Sequence, residues 1–211
     1  MNLNRDPYQK IAKYYDLLIE PLNRSLIAVA MKTFPFKAGM FVLDVGCGTG
    51  THLDLYQKIG CKVFGIDLSP AMLDVARQKL GDRAELHLGD ASQMPYSDGT
   101  FDLVVTFLTL HEMPALLRSA VMKELKRVMK KDGRILLIDY RPGPIRFLKG
   151  WFIKAVIIFF EIAAGREHFK NYRDFISCEG LPTLITAHQL SIDRKKIVNG
   201  GNIGLFLLRL Q

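Results

Sequence analysis

The chain has 211 residues, 49% of them hydrophobic and 10% aromatic, the composition of an ordinary globular protein with one sizeable core. Its three cysteines, Cys47, Cys61 and Cys178, show no CxxC or CxxH spacing, which argues against a disulfide framework or a zinc site, so a reducing, cytoplasmic setting and no metal are expected. Of the net charge of +8, residues 141–211 hold +6 through eleven Lys/Arg against five Asp/Glu, a basic end suited to an anionic surface or an acidic ligand, or simply solvated; no motif that reads RNA or DNA accompanies it, and no nucleic-acid partner is expected.

In chain order, the polar segment Met1 to Pro7 has no basic stretch followed by an apolar run, so no secretion signal is read there. Short apolar runs then alternate with helix-like stretches. Phe41 to Val45 is the first predicted strand, Thr51 to Ile59 a helix, Lys62 to Ile66 a second strand, and Pro70 to Lys79 a helix opened by Ser69 as N-cap. Glu85 to Leu88 and Phe101 to Thr106 are strands three and four. Leu116 to Met129 is an amphipathic helix, and Arg134 to Tyr140 a fifth strand after the turn Lys131-Asp132-Gly133. Arg141-Pro142-Gly143-Pro144 ends the alternation. Residues 145–164 are strongly apolar, residues 166–188 read as helix with a break at Gly180-Leu181-Pro182, and Gln189 to Val198 with Ile203 to Leu210 form a hairpin around Asn199-Gly200-Gly201-Asn202. The pattern predicts an α/β fold with a mostly parallel sheet, helices on both faces and an antiparallel final hairpin.

Chemistry concentrates at strand ends. Asp44-Val45-Gly46-Cys47-Gly48-Thr49-Gly50 places glycines between a strand and a helix, where absent Cβ atoms let the backbone turn sharply and approach a ligand. The glycines fall at offsets 0, 2 and 4, whereas a dinucleotide fingerprint wants 0, 2 and 5, so a nicotinamide oxidoreductase is disfavoured. Asp67 ends strand two, where a carboxylate can accept both hydroxyls of a ribose, and Asp90 follows strand three, where it can accept from an adenine amino group.

Together with Ala12-Lys13-Tyr14-Tyr15-Asp16, Gly65 to Leu73, Gly89-Asp90-Ala91, Met94-Pro95-Tyr96, Phe101 to Val104 and Leu110-His111, these residues make the sequence resemble the class I S-adenosylmethionine-dependent methyltransferases. Within them it is similar to the quinone-biosynthesis C-methyltransferases and the small bacterial phospholipid N-methyltransferases, over about residues 8 to 140. The resemblance implies a Rossmann-like, seven-stranded α/β domain in which Asp44, Gly46, Cys47, Gly48 and Gly50 face the methionine part of S-adenosylmethionine, Asp67 its ribose, and Asp90 with Ala91 its adenine. Leu68, Met72 and Phe107 complete that pocket, and Tyr15 lies in an N-terminal lid. The expected division of this single domain is a lid and helix (1–38), a cofactor-binding core (39–140), an apolar and basic insertion on the acceptor side (141–188) and the hairpin (189–211).

Methyl transfer from a sulfonium needs alignment and exclusion of water, plus a base when the acceptor must lose a proton. His111, with an unperturbed pKa near 6.5, and Glu112, where many relatives carry a second histidine, are the catalytic candidates; each also has a purely structural reading. Tyr140, Arg141 and His168 are candidates for the acceptor side. The stretch Trp151 to Ala164 is too short to span a bilayer, and Lys154 and Glu161, seven apart, share one helical face. Core or dimer packing, the wall of a pocket for a greasy acceptor, and peripheral contact with a membrane all stay open for it, as do a monomer and a homodimer. The sequence thus points to methylation of a small lipophilic or aromatic acceptor, such as a quinone precursor or a phospholipid amine, with S-adenosylhomocysteine as product. The alternative is a partner or sensor protein that binds the cofactor without turnover.

Overall fold

A computed structural model of the chain describes Asp6 and residues 8–211, with backbone alone at Glu20 and Leu22; residues 1–5 and 7 of the expected lid lie outside the described residues. Helix α1 (Ala12–Met31) leads into the alternating series β1 (Phe41–Val45), α2 (Thr51–Lys58), β2 (Lys62–Asp67), α3 (Pro70–Leu80), β3 (Ala84–Leu88), β4 (Phe101–Phe107), α4 (Ala115–Val128) and β5 (Met129–Tyr140). Helices α5 (Phe147–Ala163), α6 (Arg166–Ser177) and α7 (Leu181–Ala187) follow, then β6 (Leu190–Val198) and β7 (Ile203–Leu210). The seven strands form one sheet in the order β3-β2-β1-β4-β5-β7-β6, parallel except that β7 runs antiparallel to both of its neighbours.

The central strands are apolar on both faces because both are covered. Alternate residues feed two cores: Leu43, Val104, Ile135 and Leu137 pack with α4, α6 and α7, while Val42, Leu103, Leu136 and Ile138 pack with α1, α2 and α3. Ser69 caps α3 by accepting from the Met72 N–H at 3.1 Å, with Pro70 in the first turn, as its sequence predicts.

Three local readings change. Strand β5 begins at Met129 rather than Arg134, because the register jumps from Phe101–Met129 to Leu103–Arg134 and the Lys131-Asp132-Gly133 turn becomes an irregularity inside the strand. The break between α6 and α7 falls before Leu181, where Gly180 has a φ of +64°, so Pro182 sits in the first turn of α7. Helix α5 extends back to Phe147, and two of its three charges turn inward: Glu161 is buried with Gly150 and Ile157, and Lys154 donates to the Tyr172 hydroxyl at 2.7 Å, while Lys149 is exposed. Gly150 is needed on that stripe, since a Cβ would meet the Gly200 carbonyl oxygen at 2.7 Å. What α5 exposes is Phe147, Leu148, Trp151, Phe152, Phe159 and Ile162, so core packing is not the use of its apolar face. No helix among the described residues is long and apolar enough to cross a membrane.

Candidate active site

The carboxyl ends of β1, β2, β4 and β5 meet along one edge of the sheet. At the end of β1, Gly46, Gly48 and Gly50 have φ of +75°, +52° and +74°, a left-handed region that side chains disfavour. The Gly46 and Cys47 N–H groups donate to the Ile66 carbonyl, which staples the loop to β2. A Cβ on Gly48 would meet nothing within 4 Å, so the space over the loop is open there. The Gly48 N–H donates to Asp67 Oδ2 and the Ser69 N–H to Asp67 Oδ1, both at 2.8 Å, while burial raises the Asp67 carboxyl pKa. Asp44 is fully buried and neither of its carboxylate oxygens has a hydrogen-bond partner; His52 Nδ1 stands 3.5 Å from Oδ2.

A strap from the N-terminal side lies over this loop. Asp6 accepts from the Ser69 hydroxyl at 2.8 Å and the Ala71 N–H at 3.1 Å. Asp16 accepts from the Thr49 hydroxyl and pairs with Lys79 at 2.6 Å, so α1 is tied to both the loop and α3. Cys47 and Met72 are buried; Leu68 is exposed; Phe107 packs its ring 4.1 Å from that of His52. Asp90 is exposed and accepts from the Ser92 N–H at 2.8 Å, holding a turn that buries Ala91.

The second half of the site is a cluster that the sequence revealed only in part. After β4, a short 3₁₀ turn (Leu110–Glu112) presents His111 and Glu112. Asp139 on β5 accepts from the Leu110 and His111 N–H groups through Oδ2 and lies 2.7 Å from His111 Nδ1 through Oδ1. Arg118, buried on α4, donates to the Leu110 and Met113 carbonyls and clasps the turn from below. The other imidazole nitrogen, Nε2, faces Glu161 Oε1 at 3.5 Å, and His168 Nε2 approaches Glu161 Oε2 at 3.0 Å. Burial alone would lower the His111 pKa, but Asp139 and Glu161 together raise it to about 10; the expectation of a base titrating near 6.5 does not suit this setting, which keeps the ring protonated at neutral pH. The same two histidines outweigh burial at Glu161 and hold its carboxyl at about 2.

Glu112 does not orient His111, a task that falls to Asp139. Its carboxylate accepts from the Tyr8 hydroxyl at 3.1 and 3.2 Å and lies 3.9 Å from His168, and withdrawal from water raises its pKa. Tyr140 stacks at a tilt 4.5 Å from His111 and edge-on 5.5 Å from Tyr172, which gives the cluster an aromatic wall. Tyr15, edge-on to Tyr8 at 6.2 Å, has its pKa raised by burial and by the charges of Glu112, Asp67, Asp16 and Glu161, which places it between the two halves. Arg141 is not brought in: its guanidinium donates to the Gly201 carbonyl at the hairpin turn. Asp139, Glu161, Arg118, Tyr8 and Tyr172 were missed. The signal for two of them is a lone acid in an apolar run, Asp139 in Ile135-Leu136-Leu137-Ile138-Asp139 and Glu161 in α5.

The profile of the methyltransferase domain family matches residues 43–137. A demethylmenaquinone methyltransferase of Symbiobacterium thermophilum is 31% identical over 77% of this chain and 71% of its own length. A chloroplastic 2-phytyl-1,4-beta-naphthoquinone methyltransferase of Arabidopsis thaliana is 31% identical over 96% of this chain and 85% of its own. Among solved structures, a SAM-dependent methyltransferase from Aquifex aeolicus superimposes with a TM-score of 0.64 at 20% identity, covering 93% of this chain and 97% of that one.

Proposed function

The chain belongs to the class I S-adenosylmethionine-dependent methyltransferases, and from that premise we propose that its acceptor is a lipophilic, hydroxylated aromatic ring of the quinol type. The observation that carries this reading is the two-sidedness of α5, which exposes Phe147, Trp151, Phe152 and Phe159 while turning Glu161 into the aromatic-walled cluster of His111, His168, Tyr140 and Tyr172. A ring with a polar edge and an apolar tail matches both sides of that helix. The relatives that act on demethylmenaquinone and phytyl naphthoquinone support it.

The residues fit the cofactor. The fully buried carboxylate of Asp44, which accepts no hydrogen bond, is suited to the ammonium of the methionine part, since a buried charge without hydrogen bonds is costly until a donor reaches it. The open face of Gly48 leaves room for a ligand, and Asp67, oriented by two N–H groups, is placed for the ribose hydroxyls. Ala91, with Asp90 shaping its turn, borders the adenine side, and Cys47, Leu68, Met72 and Phe107 supply the remaining walls. Bound here, S-adenosylmethionine supplies an activated methyl group to an in-line attack.

The chain's own residues do the rest. Glu112, whose raised pKa makes it a better proton acceptor than an ordinary carboxylate, takes the proton of the acceptor hydroxyl. His111, protonated and fixed by Asp139, supplies positive charge beside the electron-rich ring that results. Tyr8 and Tyr15 exclude water from above, and Tyr140 and Tyr172 align the ring.

Helix α5, with exposed Arg146 and Lys149 beside its aromatic face, rests on an anionic membrane surface from which the acceptor is drawn. Incubation with methyl-labelled cofactor and either a prenylated naphthoquinol or phosphatidylethanolamine vesicles tests the acceptor class. Label in the quinol alone is the expected outcome; label in the phospholipid alone would overturn the reading. Asp67→Ala should weaken S-adenosylhomocysteine binding in calorimetry by about tenfold or more, the loss expected for hydrogen bonds to a charged group.

A further inference from the structure

Three side chains from three separate elements converge on one point: His111 from the turn after β4, Glu161 from the end of α5 and His168 from α6. Their donor atoms, Nε2, a carboxylate oxygen and Nε2, all lie within 4.8 Å of one another. We propose that His111, Glu161 and His168 form a binding site for one divalent transition-metal ion of the zinc type, on the acceptor side of the cleft. This assignment goes beyond the methyltransferase reading and holds for any acceptor: the ion takes the place of the His111 Nε2 proton and supplies the positive charge that the protonated ring gives without it.

The spacing that lets these groups pair with one another also suits ligands gathered round an ion. Two donors bonded at about 2.0–2.1 Å to a tetrahedral ion stand roughly 3.3 Å apart. The separations here are 3.5 Å from His111 Nε2 to Glu161 Oε1 and 3.0 Å from His168 Nε2 to Glu161 Oε2. At 3.0 Å an aligned N–H would be a good hydrogen bond, yet Glu161 Oε2 has no hydrogen-bond partner although its side chain is only 5% exposed. Two imidazole nitrogens thus face the two oxygens of one buried carboxylate, one of which has no hydrogen-bond partner.

The surroundings support the same assignment. His111 turns Nδ1 to Asp139 at 2.7 Å, the carboxylate–histidine arrangement that fixes a metal-binding imidazole and frees its other nitrogen. Two imidazoles and a carboxylate suit zinc, cobalt, iron or manganese better than calcium or magnesium, which prefer oxygen alone. Three protein ligands leave a further position for water or acceptor, and the Glu112 carboxylate stands 3.9 Å from His168 Nε2.

Tag-free protein stripped with a chelator and titrated with Co²⁺ and Zn²⁺ tests the site. The wild type is expected to take up one ion per chain, with visible d–d absorption for Co²⁺ that Zn²⁺ displaces. His168→Ala, at a half-buried position, should abolish that spectrum while S-adenosylhomocysteine affinity stays at the wild-type value, which shows that the fold and the cofactor pocket are intact. Asp139→Asn should weaken metal binding by about 10–100-fold, the usual effect of losing the group behind a ligand histidine. Absence of stoichiometric binding by the wild type, or binding unchanged in His168→Ala, would falsify the site. Neither result bears on whether the protein methylates a quinol.

Discussion

Asp44 and Asp139 are both fully buried acids at strand ends, yet their circumstances are opposite. Asp139 spends its oxygens on the Leu110 and His111 N–H groups and on the His111 ring, so it is satisfied without any ligand. Asp44 accepts no hydrogen bond, and its only charged neighbour among the described residues is His52, 3.5 Å away. Removing its charge should therefore move two measurements in opposite directions. Asp44→Asn is expected to raise the unfolding free energy of the ligand-free protein by about 1 kcal/mol, because an amide costs less to bury than an unpaired carboxylate. The same variant should bind S-adenosylhomocysteine about tenfold or more weakly, through loss of a charged hydrogen bond. Urea titration and calorimetry on one preparation check both. A variant destabilised without ligand and unchanged in affinity would make Asp44 a packing residue. The role of Asp44 was legible in the sequence because the glycines beside it announce a ligand loop. That of Asp139 was not, since nothing in a strand reading says which of several turns its carboxylate will meet.

At the level of elements, the turn carrying His111 and Glu112 owes its shape to α4. Arg118 is 3% exposed, its guanidinium joins two carbonyls of the turn, and it lies 4.8 Å from the Phe175 ring of α6. Three elements are thus held by one planar fork. Arg118→Ala should cost about 2–3 kcal/mol of unfolding free energy, since two carbonyls lose their donors and a buried space opens. Arg118→Lys should recover little of it, because an ammonium cannot reproduce the fixed spacing of a guanidinium. Denaturant unfolding of the two variants decides this, and a fully stable Lys variant would show that charge alone suffices there. The alternation of strands and helices up to β5, and the final hairpin, were readable from apolar periodicity and turn residues. An arginine inside the buried face of an amphipathic helix looks, in sequence, like any solvated one. For the same reason the proposed metal site is silent in sequence: metal spacings are most readable between cysteines, and His111, Glu161 and His168 belong to no local pattern.

Across the whole molecule, the basic excess of the C-terminal third and the exposed face of α5 occur together. Between α5 and α6 lies an open groove of about 700 Å³, lined by Lys154, Arg166, Lys170 and Arg173 with Ile158 and Phe169. The chain's one tryptophan, Trp151, lies 63% exposed on that helix and reports on its surroundings without a label. Vesicles containing anionic lipid should shift its emission to the blue and raise its intensity, and neutral vesicles should do so less. Phe152→Ser should weaken the effect, since each large aromatic buried in the interface contributes about 1.5–3 kcal/mol. An unshifted spectrum at high lipid would leave a second copy of the chain as the cover for that face.

Helix α5 is inside out for an aqueous protein, its acid hidden and its phenylalanines shown. A surface of that kind sets a requirement on the solvent rather than on a substrate. In plain buffer the molecule should be driven to self-associate in proportion to its concentration, and a mild detergent should act on it as a missing part of its environment. The conditions under which this enzyme stays in solution are therefore written into the same helix that closes its active site.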